Sequence, residues 1–197
     1  MHMKSFLTSP GAVVALAPRI SARRSVPMAI ARIAGALLLT ALAAQVRVPV
    51  PGTDVPMTLQ LLAVLVVGLS LPTAEALAAM TLYVLCGVCG LPVFSPGSAG
   101  LLGPTGGYLV GFVLGIVVIG LTRGRGNVSA LRMITAAGLG AAVVLISGTA
   151  WRALWIGDWA VAATTMSLPF VPKAIVEVLL AVALVRRGSG RRSPANE

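Results

Sequence analysis

Long apolar stretches alternate with short breaks rich in proline, glycine or basic residues along nearly the whole chain. After a polar, basic start, the first stretch runs over residues 27–46. Twenty residues at about 1.5 Å each span about 30 Å, the thickness of a bilayer core. Pro27 suits a first helical turn, where a missing N–H costs nothing. Pro49, Pro51 and Pro56 forbid a helix over the next segment. A second helix is predicted over 57–71 and is broken at Leu71-Pro72-Thr73. Thr73 is the expected cap of a third, over 74–88, with Glu75 in its first turn. A fourth is predicted over 108–121, a fifth over 129–151 and a sixth over 173–185. Residues 122–127 read as a basic turn, and residues 152–172 as a connection carrying Arg152, Trp155, Asp158 and Trp159.

Residues 89–107 fit none of these spans. The stretch is apolar and uncharged, yet Gly and Pro recur throughout, so regular helix is excluded. Such a loop is uncomfortable in water and intolerable in lipid. It must fold back onto protein or line a cavity.

Composition sharpens the class. Apolar residues make up 57% of the 197, charged residues only 10%, and mean hydropathy is +0.97. A soluble globule of this size cannot hide that much apolar surface. A soluble enzyme, a disordered chain and a nucleic-acid-binding domain are therefore excluded. The single histidine, His2, rules out a His-based zinc site or a serine–histidine active site. No metal or cofactor is expected. Cys86 and Cys89 form a CxxC within an apolar run with no βαβ pattern nearby, and plain packing accounts for them.

The net charge of +10 reads as membrane topology rather than nucleic-acid binding, because the basic residues sit mainly at the ends of apolar runs. With six spans, twelve basic residues fall on the side of the termini: Lys4, Arg19, Arg23, Arg24, Arg32, Arg123, Arg125, Arg132, Arg186, Arg187, Arg191 and Arg192. Arg47, Arg152 and Lys173 fall on the other. The positive-inside rule then places both termini in the cytoplasm and the loop 89–107 outside. The expected fold is an all-α membrane protein of six transmembrane helices with its pocket near the outer face, under that loop. Residues 1–26 are expected to be a basic tail, 27–186 the membrane domain and 187–197 a disordered basic tail.

Particular residues carry a family resemblance. Thr58-Leu59-Gln60 follows a Pro-rich loop. Gly90-Leu91-Pro92-Val93-Phe94 precedes Leu102-Gly103-Pro104-Thr105-Gly106-Gly107-Tyr108-Leu109 with Gly111-Phe112. Gly148-Thr149-Ala150-Trp151 and Leu168-Pro169-Phe170-Val171-Pro172 come later. Over about residues 27–186 the chain resembles BioY, the biotin-specific S component of energy-coupling factor (ECF) transporters. The resemblance implies a multi-pass protein of the bacterial cell membrane that captures biotin from outside and performs no chemistry itself. It implies docking on a transmembrane coupling (T) subunit with two ATP-hydrolysing subunits. It also implies docking through small residues four apart on the first helix, here Ala31 and Gly35; close packing within the chain is the other reading of that pair.

One motif departs from the pattern. The family shows Pro-Phe-x-Pro-Gly-Asp-x-x-Lys at the start of the last helix. Here Ala174 stands at the Asp position and Glu177 at the Lys position, with Lys173 immediately after Pro172. Lys173 and Glu177 are spaced i, i+4 on one helix face, so both charge signs survive in changed order. They serve the ligand or pair with each other to stabilise the bundle.

Biotin offers a ureido group, an apolar thioether ring and a carboxylate. A pocket for it needs a few amide or acid partners, an aromatic wall and a cation or hydroxyl. Gln60 can serve the ureido group as donor and acceptor, or make a hydrogen bond between helices. Tyr83 and Tyr108 each offer a ring and a hydroxyl. Phe94, Ser98 and Thr105 lie in or near the glycine loop; Ser98 falls where the family carries an arginine. Trp151 is singled out from the Trp151, Trp155 and Trp159 group, whose ordinary reading is an aromatic belt. Three other functions compete: an S component for another heterocyclic vitamin, an intramembrane enzyme relying on Glu177 with Lys173 or on Asp158, and a ligand-free assembly protein. The uncharged outer loop argues against the last.

Overall fold

The computed structural model describes residues 25–51, 55–124, 126 and 128–190. Most of both predicted tails, together with Asp54 and Arg125, lie outside the described residues. The order is α1 (Val26–Gln45), β1 (Arg47–Val48), β2 (Met57–Thr58), α2 (Gln60–Ser70), α3 (Thr73–Val88), a 3-10 turn (Gly100–Leu102), α4 (Gly106–Thr122), α5 (Ala130–Ile156), α6 (Trp159–Met166), a second 3-10 turn (Leu168–Phe170) and α7 (Val171–Gly190).

The short α2 is the hub. It is apolar on every side, which suits a helix with no exposed face. Leu61, Ala63, Val64, Leu65, Val67, Gly68 and Leu69 are buried along it, with Gln60 at its head. It packs against α1, α4, α5 and α7. By contrast, α1 buries only Ala36, Thr40 and Ala44, one stripe at i, i+4, i+8 laid against α3. Its other faces leave Ile30, Leu38 and Leu42 exposed. That pattern costs too much in water and suits hydrocarbon.

The most extensive packing joins α4 and α5. Gly107, Gly111 and Gly115 form a stripe on α4 against Ser147, Val144 and Gly140 of α5. A Cβ on Gly111 would stand 2.9 Å from the Val144 Cα, so the two backbones touch. Close approach through small residues is how helices gain contact where lipid supplies no hydrophobic drive.

At the end of the bundle away from the loop 89–105, charged side chains fasten the helices. Arg32 of α1 grips Glu75 of α3 with two bonds, Nε–Oε2 at 2.6 Å and Nη2–Oε1 at 2.9 Å. Arg123 donates to the Leu69 and Leu71 carbonyls at 2.6 and 2.5 Å, satisfying acceptors that the end of α2 leaves over.

Three helical stretches are long and apolar enough to cross a bilayer: Val26–Gln45, Ala130–Ile156 and the stretch from Trp159 to Gly188. Gln60–Ser70, Thr73–Val88 and Gly106–Thr122 are apolar but shorter. The second predicted helix starts late because Met57 and Thr58 pair antiparallel with Val48 and Arg47. Thr73 is not a cap: it lies inside α3, Pro72 holds the cap position and no side chain caps the helix. The predicted connection 152–172 is mostly helical instead. α5 continues to Ile156, and α6 is capped by Asp158, whose Oδ1 accepts from the Ala160 and Val161 N–H groups at 2.8 and 3.0 Å. The predicted boundary at 186/187 falls inside α7, which is unbroken to Gly190.

The α4–α5 contact gives a paired test. Gly107→Ala would drive a methyl into the Trp151 side chain and the Ser147 carbonyl, whereas Gly138 has open space around it. In thermal melts of the purified protein, G107A is expected to cost about 1–3 kcal/mol by overpacking. G138A is expected to hold stability or raise it by up to about 1 kcal/mol.

Candidate functional site

The ends of the short helices nearest the segment 89–105 enclose a cavity. α2 begins, α3 ends and α4 begins around it, and the segment between α3 and α4 covers it. α3 ends at Val88, and just beyond it Gly90, with a φ of +88°, turns the chain so that the Gly90 and Leu91 N–H groups bond back to the Gly87 and Cys86 carbonyls. Beyond it the chain holds only the 3-10 turn of regular structure until α4. Side chains from several elements take up the loop carbonyls. Tyr83 donates to Val93 O at 3.1 Å, Gln45 to Phe94 O at 3.3 Å, Arg47 to Pro96 O at 2.6 Å and Trp151 Nε1 to Gly103 O at 3.1 Å.

The empty space is about 650 Å³, part of it open to the exterior. Its wall is mainly apolar: Val55, Leu61, Leu109, Phe112, Val144, Leu145 and Phe170 contribute. Polar groups enter at a few points. Thr58, Gln60, Ser95, Ser98, Thr105, Tyr108 and Lys173 line it.

Gln60 is the best-oriented of these. Its Oε1 accepts from the Thr58 hydroxyl at 2.9 Å, and its Nε2 donates to the Tyr83 hydroxyl at 2.7 Å. The amide is thus fixed from both ends, with one N–H and one lone pair left over. The Tyr83 hydroxyl in turn donates to Val93 O, so the relay runs from β2 through α2 and α3 into the loop. The Tyr83 ring meets Phe94 edge-on, centroids 5.4 Å apart. Tyr108 leans on Phe170, with centroids 6.2 Å apart, and lies over Gly148.

Lys173 and Glu177 form an ion pair at 2.6 Å. Lys173 faces the cavity, while the Glu177 side chain is only 3% exposed and does not line it. The carboxylate also lies against the Leu62 backbone N–H in the first turn of α2. A negative group there meets the positive end of a helix.

Of the predicted site residues, Gln60, Phe94, Ser98, Thr105, Tyr108 and Lys173 come together around the cavity. Tyr83, Trp151 and Glu177 stand behind it, each holding a neighbour rather than lining the space. Ala31 and Gly35 are far from it on an exposed face, and Gly35 has nothing within 4 Å of an added Cβ, so they do not pack within the chain. Sequence reasoning missed Ser95, Thr58 and Phe170 as lining residues. Ser95 is 7% exposed and its Oγ has no hydrogen-bond partner. Nothing in its sequence context separates it from Ser98; only burial does. Thr58 and Phe170 belonged to motifs already noticed. Among the described residues no three His, Cys, Asp or Glu side chains converge as a metal site.

Residues 16–193 match the BioY family. A Pyrococcus horikoshii protein named "Probable biotin transporter BioY" is 34% identical over 155 residues, 77% of this chain and 90% of that one. The "Biotin transporter BioY2" of Lactococcus lactis is 36% identical over 147 residues, 70% of this chain and 80% of that one. The "Biotin transporter BioY" of Thermotoga maritima is 33% identical, with 71% and 84% covered. The fold is that of a crystal structure at 2.1 Å of "the S-component for biotin from an ECF-type ABC transporter", with a TM-score of 0.74. That likeness holds at 20% identity over 85% of this chain and 93% of the other.

The relay can be tested on the loop itself. Tyr83→Phe keeps the ring against Phe94 and removes the hydroxyl that holds Val93 O. Amide exchange over residues 91–98 is expected to quicken about fivefold, the worth of one hydrogen bond of about 1 kcal/mol.

Proposed function

The chain belongs to the BioY family, and on that footing we propose that it is the membrane-embedded component that captures biotin for uptake, in the cavity beneath residues 89–105. The relatives named above are biotin transporters. The chain is a transporter component, not an enzyme. The observation that carries the reading at the level of the site is the oriented Gln60 amide at the head of α2, facing a mainly apolar hollow. Its spare N–H and lone pair match the C=O and N–H that a ureido group presents side by side. Apolar wall and aromatic rings suit the thioether ring and the aliphatic tail.

In this reading the six apolar segments cross the bacterial cell membrane, with both termini in the cytoplasm and the cavity at the outer face. The basic residues support that orientation: Arg32, Arg123 and Arg132 lie at the inner end. The exposed Ala31 and Gly35 face of α1 is offered to a transmembrane coupling subunit that carries two ATP-hydrolysing subunits. The loop acts as the outer lid, and the coupling subunit distinguishes loaded from empty protein only by binding the two forms differently.

Calorimetry on the purified chain checks this directly. Biotin is expected to bind at one site, and other heterocyclic vitamins are expected to give no heat. Heat from another vitamin and none from biotin would replace the reading with an S component for that vitamin. Gln60→Ala is expected to weaken biotin about 10- to 100-fold, and Ser95→Ala about 2- to 10-fold, by loss of buried hydrogen bonds.

A further inference from the structure

Among the described residues the cavity carries one cation, and that cation is already matched. Among the described residues lining it, Lys173 is the only one with a full charge, and its ammonium holds Glu177 Oε1 at 2.6 Å. The other polar contributors, Thr58, Gln60, Ser95, Ser98, Thr105 and Tyr108, are neutral. Arg47, at the loop above, spends an Nη1 on Pro96 O and does not line the cavity. Counted over the described residues, the site therefore has no net charge to offer an acid.

We propose that the pocket accepts biotin derivatives whose carboxyl is masked as an amide, nearly as well as free biotin, and that Glu177 sets this tolerance. The inference rests on the proposed biotin site. A carboxylate set beside Lys173 meets Glu177 at about twice the distance, and in an inverse-distance law that repulsion removes about half of the attraction. Moving a carboxylate out of water into a mainly apolar wall costs more than moving an amide. The two effects together leave little advantage for the acid. An ammonium has three donors, and Glu177 occupies one. The others can serve an amide carbonyl as they would a carboxylate oxygen. Specificity is a difference between two affinities, and here the term that would favour the acid is spent inside the protein.

The test uses the full chain in lipid nanodiscs, titrated with biotin and with biotinamide, its uncharged near-isostere. In the unaltered protein the two affinities are expected to agree within about fivefold, under 1.0 kcal/mol or so of discrimination. Glu177→Gln unmatches Lys173 and is expected to move the ratio toward biotin by about tenfold or more. A Lys173→Gln/Glu177→Gln double variant restores neutrality and is expected to bring the ratio back. A preference for biotin over biotinamide above about 100-fold in the unaltered protein would overturn the proposal. So would an E177Q protein that binds both ligands with an unchanged ratio. If E177Q does not fold, the unaltered ratio and the double variant decide. Biotin bound and biotinamide refused sinks this inference alone; neither bound while another vitamin binds sinks the biotin reading with it.

Discussion

Between α3 and α4 seventeen residues of backbone sit at the end of an apolar bundle with almost no ladder of their own. The carbonyls that turn onto the bundle need partners, because a buried unpaired acceptor costs several kcal/mol, about what a small domain can lose before it unfolds. The partners come from four elements: Gln45 from α1, Arg47 from β1, Tyr83 from α3 and Trp151 from α5. The covering segment is therefore tied to all sides of the bundle at once. Its position reports the arrangement of the helices beneath it, and theirs reports its own.

The same ties shape the site. Tyr83 does not touch the cavity, yet it fixes the Gln60 amide that does, and passes the bond on to the loop. A ligand that engages Gln60 thus pulls on a chain of bonds ending at Val93. Capture and closure become one event in the proposed mechanism, which is what a coupling subunit needs if it is to sense occupancy. The Lys173–Glu177 pair plays a parallel part at the far wall, where it joins α7 to the first turn of α2. Both polar clusters converge on the head of α2, the most buried helix of the bundle.

Much of this was legible in the sequence. The proline and glycine breaks marked the helices within a few residues, because no other residue types interrupt an apolar run so firmly. The uncharged loop 89–107 pointed to a segment that folds back onto protein or lines a cavity, because lipid does not tolerate irregular backbone. Three things were hidden. The pairing of Arg47-Val48 with Met57-Thr58 needs two segments that only the tertiary fold brings together. The helical α6 lay inside a stretch whose tryptophans suggested an interface and not a helix. Ser95 and Ser98 are alike in sequence, and only the fold decides that the first is buried and unpartnered. The stripe of Gly107, Gly111 and Gly115 was available from spacing alone and went unread as a helix contact.

The central claim is that biotin occupies the hollow at the head of α2. Photolabelling of the full chain with a diazirine-bearing biotin, followed by mass spectrometry of the labelled peptides, addresses it most directly. Labels are expected within residues 55–61, 94–105 and 170–173, and excess biotin is expected to suppress them. Suppressible labels confined instead to the opposite end, around residues 69–73 and 119–123, would contradict the account.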